Sequence, residues 1–312
     1  MAQKHLLCKK YNLLLTVLII VLLSVQSFAG VTTHTDKRTS TKRLRTMARV
    51  YMTYGNYDKA RVYAEKALSE AQATDTEANE MALCLIDLAT VYSNLDLLPE
   101  SDRLFQAGIS LQKQALFGEH PYVAQTYRML SDVQRRAGHL DEAEQSLSQA
   151  VAIMLNHCDI QSNEMSPFIL ESAKLFEARQ DYEQAQINYM MALDMAEENY
   201  GPRHLMTANI LESMAQCALR QDDFEQADIC ISKAMSIQRN LFGRLNPVMV
   251  DVFLTKATIC RAKGEADRSE YYLAQATASV EESRNVIMLA RVYERVNQIR
   301  RADVIAAAAN LN

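Results

Sequence analysis

The sequence predicts an all-α fold, a right-handed superhelical solenoid of stacked antiparallel helix pairs. Three observations predict it: small residues recurring at a near-fixed interval, apolar stripes of helical period between them, and six of the seven glycines after Gly30 at the turns. In the second helix of each pair the small residues are Ala60, Ser101, Ala143, Ala185, Ala227 and Ser269, 41 residues apart once and 42 four times. In the first helix they are Ala48, Ala89, Ser131, Ala173, Ala215 and Ala257, and late in the second Ala67, Gly108, Ala150, Ala192, Ala234 and Ala276. Small side chains at three fixed places let helices approach closely, and larger neighbours such as Leu88, Phe105, Leu130 and Tyr189 fill the remaining volume.

At the start of the chain, Lys4, Lys9 and Lys10 precede an apolar stretch, Leu13 to Leu23, broken only by Thr16 and followed by Ser27 and Ala29. Residues 1–29 therefore read as a secretory signal cut after Ala29, which places the remainder in the periplasm, the envelope or the exterior. An uncut N-terminal membrane anchor is the alternative, although a span wants about 20 apolar residues. Membrane attachment is expected only in that case. Removing residues 1–29 takes away three lysines and no acids, so the formal charge moves from −5 to −8. That acidic balance argues against nucleic acid as a ligand. Residues 30–43, GVTTHTDKRTSTKR, are polar without apolar period and read as a flexible lead-in.

The first hairpin is expected over 44–80. Leu44, Met47, Ala48 and Tyr51 fall at i, i+3, i+4 and i+7, Gly55 breaks the helix, and Tyr57 to Leu68 begin a second. Five more copies follow over 81–122, 123–164, 165–206, 207–248 and 249–284. Gly55, Gly138 and Gly264 sit at turns inside hairpins; Gly118, Gly201 and Gly243 sit between them. Pro121, Pro167, Pro202 and Pro247 stand close to the next first helix, where a missing amide hydrogen costs little. The second copy turns through NLDLLPES with Pro99 at the start of its second helix. The third leaves through LNHCDIQSNEMSP, which has lost the glycine and reads as the loosest joint. After the sixth copy the spacing shortens, so 285–312 is expected as a degenerate seventh hairpin or a terminal cap.

These positions resemble the tetratricopeptide repeat, with a small residue and Leu or Met in the first helix and Ala in the second. The usual Trp is replaced by Leu44, Leu85, Tyr127, Ile169, Leu211 and Phe253. The long 42-residue form, with exits such as LFGEHP (116–121), NYGPRH (199–204) and LFGRLNP (241–247), is similar to the repeats of kinesin light chains. The resemblance covers about residues 41 to 310. It implies a protein-binding scaffold whose first helices line a concave groove. Where kinesin-light-chain repeats often carry Asn, this chain has Thr46, Asp87, Met129, Glu171, Ser213 and Thr255, so the cargo-peptide role does not transfer.

No phosphate loop, zinc-protease, nucleophile-elbow or paired-cysteine motif occurs, so neither catalysis nor a cofactor or metal site is expected. His120 and His204 occupy equivalent exits, where local hydrogen bonding that fixes the turn is the expectation. Beyond Cys8, five cysteines remain. Cys217, Cys230 and Cys260 fall in neighbouring helices of copies five and six, where either a disulfide of undetermined pairing or buried thiols filling apolar space is open.

The function expected is thus non-enzymatic binding of another protein or peptide in the groove. Arg45, Arg49, Arg128, Arg135 and Arg136, with Asp132, Lys174 and Gln216, project beside the core stripe of the first helices. The arginines suggest an acidic partner, because a guanidinium grips a carboxylate with two donors. The alternative is a structural spacer or self-assembling envelope component; an enzyme is the weaker third.

Overall fold

In a computed structural model the protein is described over residues 40–74, 76–116, 118–281 and 286–309, and every regular element there is helical. The expected leader, its cleavage point and residues 30–39 lie outside the described residues. The first hairpin joins α1 (residues 40–53) to α2 (Tyr57–Ala73), and the second α3 (Ala78–Asn94) to α4 (Leu98–Ala115). Then come α5 (Pro121–Arg136) with α6 (Leu140–Leu155), α7 (Ser166–Ala178) with α8 (Tyr182–Tyr200), α9 (Leu205–Arg220) with α10 (Phe224–Phe242), and α11 (Val250–Ala262) with α12 (Ala266–Glu281). A last helix, α13 (Val286–Ala309), follows alone. Ser40 to Arg43, assigned to the flexible lead-in, are helical, and over 286–309, where a seventh hairpin or a terminal cap was expected, there is one helix.

Each hairpin turns through one left-handed residue, and its position repeats: Gly55, Asp96, Gly138, Gln180, Asp222 and Gly264, with φ between 58° and 84°. The amide that follows closes back five residues, as in Asn56 N to Tyr51 O (2.9 Å), His139 N to Gln134 O (2.9 Å) and Asp223 N to Ala218 O (3.0 Å). Glycine meets that conformation without strain; three copies hold Asp or Gln there instead. The residue one step later often starts the second helix by capping it: Asn56, Asp181 and Asp223 each accept an amide hydrogen from three residues on.

The small residues at the three repeating places are all buried, which is why their size is constrained. A Cβ on Gly108 would lie 2.9 Å from Ile86 Cγ1, so the approach of α4 to α3 there leaves no room for a larger residue. Two of the three serines at these places tie the pair together through the hydroxyl: Ser101 Oγ donates to Ala89 O and Ser131 Oγ to Ala143 O, both at 2.8 Å. The core runs along the stack, one cluster from α3 to α9 and another from α9 to α13.

Each helix packs on the next, and alternate helices α3, α5, α7, α9, α11 and α13 also touch in series. Their closer spacing makes the first helices the inner side of the curve. The irregular third exit becomes a loop and a short 3₁₀ turn, Asn163–Met165, and an apolar slot of about 370 Å³ opens between α6 and α7. No described helix is long and apolar enough to cross a membrane.

Candidate functional site

The inner face is built from the exposed edges of successive first helices, because their small residues face inward to the second helices and leave polar positions outward. On α5, α7, α9 and α11 these edges enclose a polar cavity of about 410 Å³. Arg135, Lys174, Asn209, Glu212, Gln216 and Asp251 line it. Three residues expected in the groove from sequence, Arg135, Lys174 and Gln216, are brought together here; Arg45, Arg49, Arg128, Asp132 and Arg136 do not line this cavity.

Most of the expected arginines serve the stack itself. Arg45 Nε lies 2.7 Å from Asp87 Oδ2 and Nη1 2.9 Å from Glu80 Oε1, joining α1 to α3. Arg135 pairs with Asp132 one turn back and reaches Glu171 on α7 at 2.9 Å. Arg136 donates to Ser93 Oγ (2.8 Å), Ser93 O (3.0 Å) and Asp96 (2.9 Å) at the end of α3. Arg128 donates to Gln125 Oε1 at 3.2 Å, and burial pulls its guanidinium below the usual range against the pull of Glu171 and Asp132. Arg49, one turn past Arg45, is the exposed one of the five, and its charge acts on Asp87.

The physical reason is the repeat length. One period brings each first helix beside the next, so a charge on one meets a charge on its neighbour, 42 residues away for Arg45 and Asp87 and 36 for Arg135 and Glu171. The guanidinium groups of Arg45, Arg135 and Arg136, expected from sequence to meet an acidic partner, each already face a carboxylate of this chain.

What remains open in the cavity is mixed in sign. Arg220 Nε contacts Glu177 Oε1 at 3.2 Å, while Tyr189 Oη donates to Glu177 Oε2 at 2.5 Å, so that end is internally paired. Burial, and then the nearby charge of Asp251, push the Glu212 carboxyl up to about 7, with Lys174, Arg295 and Gln238 opposing. Arg220, Ser213 and Met206, which also line the cavity, were not singled out from sequence. Nor was Arg295 of α13, which pairs with Asp251. Its signal was available: Arg295 stands 44 residues after Asp251, about one period, but the shortened spacing after copy six obscured the register.

The histidines act as turns require. His120 Nδ1 accepts from Tyr122 N at 3.1 Å and His204 Nδ1 from Met206 N at 3.2 Å, capping α5 and α9. Asn246 does the same for Val248 N at the third exit of this kind. Cys84, Cys158, Cys217, Cys230 and Cys260 are free thiols, all buried except Cys158. Among the described residues no group of three or more His, Cys, Asp or Glu is placed to hold a metal ion.

Family models described as tetratricopeptide repeat match residues 80–156 and 168–240, and a further one residues 46–74, more than half of the chain together. The chain is a tetratricopeptide repeat protein. It is 24% identical over 235 residues to Protein KINESIN LIGHT CHAIN-RELATED 1 of Arabidopsis thaliana, covering 75% of this chain and 38% of that protein. This repeat protein thus spans about two fifths of the length of the curated relatives it matches. Among solved structures, BtubC (BKLC) from P. vanneervenii superimposes with a TM-score of 0.54 at 17% identity, over 73% of this chain and 92% of its own. The Rap conjugation gene regulator of plasmid pLS20, in complex with the Phr* peptide, superimposes with a TM-score of 0.64 at 13% identity, over 86% and 76%. At such identities the likeness shows the fold alone.

Proposed function

We propose that this tetratricopeptide repeat protein is a non-enzymatic scaffold that holds an extended or helical segment of another protein in its inner groove. The observation that carries the reading is the polar cavity shared by four consecutive first helices, whose exposed Asn209 and Gln216 offer donors and acceptors to a backbone. The pLS20 regulator supports it, since a fold of the same kind there holds a peptide.

Because the groove arginines are largely spent on carboxylates of this chain, the segment it fits carries mixed polar groups rather than a run of acids. A photo-crosslinking residue at Gln216 or Asn209, with Ile187 on the outer surface as the control, tests the site. Adducts confined to the two inner positions are expected; equal capture at Ile187 would remove the groove from the reading.

The same proposal places the mature chain outside the cytoplasm, resting on the residue pattern of 1–29. N-terminal sequencing of exported material should begin at Gly30. An intact leader in that material would replace secretion with anchoring.

A further inference from the structure

The first two hairpins and the last helix, distant in sequence, meet in space. Arg291 of α13 donates through Nη1 to Asn94 O at 3.2 Å and through Nη2 to Leu95 O at 3.5 Å, across about 197 positions. Those carbonyls end α3, where the chain turns through Asp96. One turn earlier on α13, the Met288 sulfur is so near the Gly55 turn that a Cβ there would sit 3.6 Å from it. Tyr57, which opens α2, feels the charges of both Asp251 and Arg291. The turns of hairpins one and two thus share one surface with α13 and the start of α11.

The other side of α13 is fixed differently. Val292 and Val296 are buried against the α9 to α12 core, and Arg295 pairs with Asp251. Arg295, Gln298 and Ile299 also wall an inner cavity of about 330 Å³ that shares Gln216 and Arg220 with the groove cavity. The two attachments differ in kind. Burial of two valines is an apolar anchor, whereas the contact with Asn94 and Leu95 is a polar one at an exposed turn and the weaker of the two.

We propose that α13 is a latch: anchored on α11 and α12, it closes the superhelix by clasping the turns of the first two hairpins, and a partner segment filling the groove works against that clasp. The purpose rests on the groove reading, but the clasp is tested on the free chain, so the two fail separately. The variant is Arg291→Ala in the full chain, which removes the donors and leaves the valine anchor and the cavity lining untouched.

X-ray scattering should show a larger radius of gyration than wild type. Hydrogen exchange over residues 53–57 and 92–97 should quicken by about tenfold, with residues 289–296 as protected as before. Met288→Ala should move both readouts the same way by a smaller amount. Unchanged scattering and exchange would overturn the latch. Loss of protection along 289–296 would also overturn it, because Arg291 would then be holding α13 on its core and not closing the ring.

Discussion

At the scale of the residue, the repeating left-handed position shows how one backbone requirement is met by different side chains. Gln180 occupies it with φ 64°, without the short polar side chain that eases this conformation for Asp96 and Asp222. Gln180→Gly should therefore raise stability by about 0.5–1 kcal/mol, after the unfolded-chain entropy of glycine is subtracted. Gly138→Ala should lower it by about 1 kcal/mol, since nothing lies within 4 Å of the added methyl and only the backbone objects. Urea midpoints of the two variants decide both. Arginine makes the second case at this scale. Glu171 is 2% exposed and paired to Arg135, so Arg135→Ala strands a buried carboxylate and should cost about 3 kcal/mol, whereas exposed Arg49→Ala should stay within about 0.5 kcal/mol. An equal effect of the two in thermal melts would return Arg135 to the pool of free groove cations. It follows that charge reversal at Arg135 cannot serve as a binding test, because it disturbs the stack first.

At the scale of the element, helix pairs are set by which residues are small. Gly108→Val should cost about 2–3 kcal/mol through overpacking against Ile86, read as a lowered melting temperature with the helical circular dichroism signal retained. This level was the one most open to reading in the sequence. The recurring Ala, Ser and Gly report on helix approach, a purely local constraint, and every one of them is buried as that constraint demands. Helix ends were legible where glycine or proline marks them, and Pro99 and Pro121 do open α4 and α5. The site was less legible for a physical reason. A charged residue on a first helix looks the same in sequence whether it faces solvent, a ligand or a carboxylate on the neighbouring first helix, so the sequence alone offers Arg45 and Arg135 as partner contacts. Likewise nothing in the spacing of α13 announced that Arg291 would meet Asn94, since that contact depends on the curvature accumulated over the whole stack.

At the scale of the whole molecule, the inner groove collects charges that no single hairpin would hold close. Glu212 is the clearest consequence: its folded-state carboxyl titrates at about 7, above the ordinary 4.5, so the folded chain holds that proton more tightly than the unfolded one. Stability contributed by Glu212 is thus greatest below 4.5 and falls as pH rises toward 7, then levels. Glu212→Gln should erase that part of the slope and gain on the order of 1 kcal/mol at pH 8, discounted for the open side of the groove. Chemical denaturation of both proteins at pH 5, 6 and 8 gives the difference, and parallel curves would place the Glu212 titration elsewhere.

Since each hairpin touches chiefly the one before and the one after, tension applied to the two ends, once the α13 contacts with the first two turns have parted, has no single core to break at once. Stretched in an optical trap, the molecule should pay out slack in equal instalments of one repeat, each about 150 Å of extended chain. A single large rip would mean that the hairpins come apart together and that the linear picture of their cohesion is wrong.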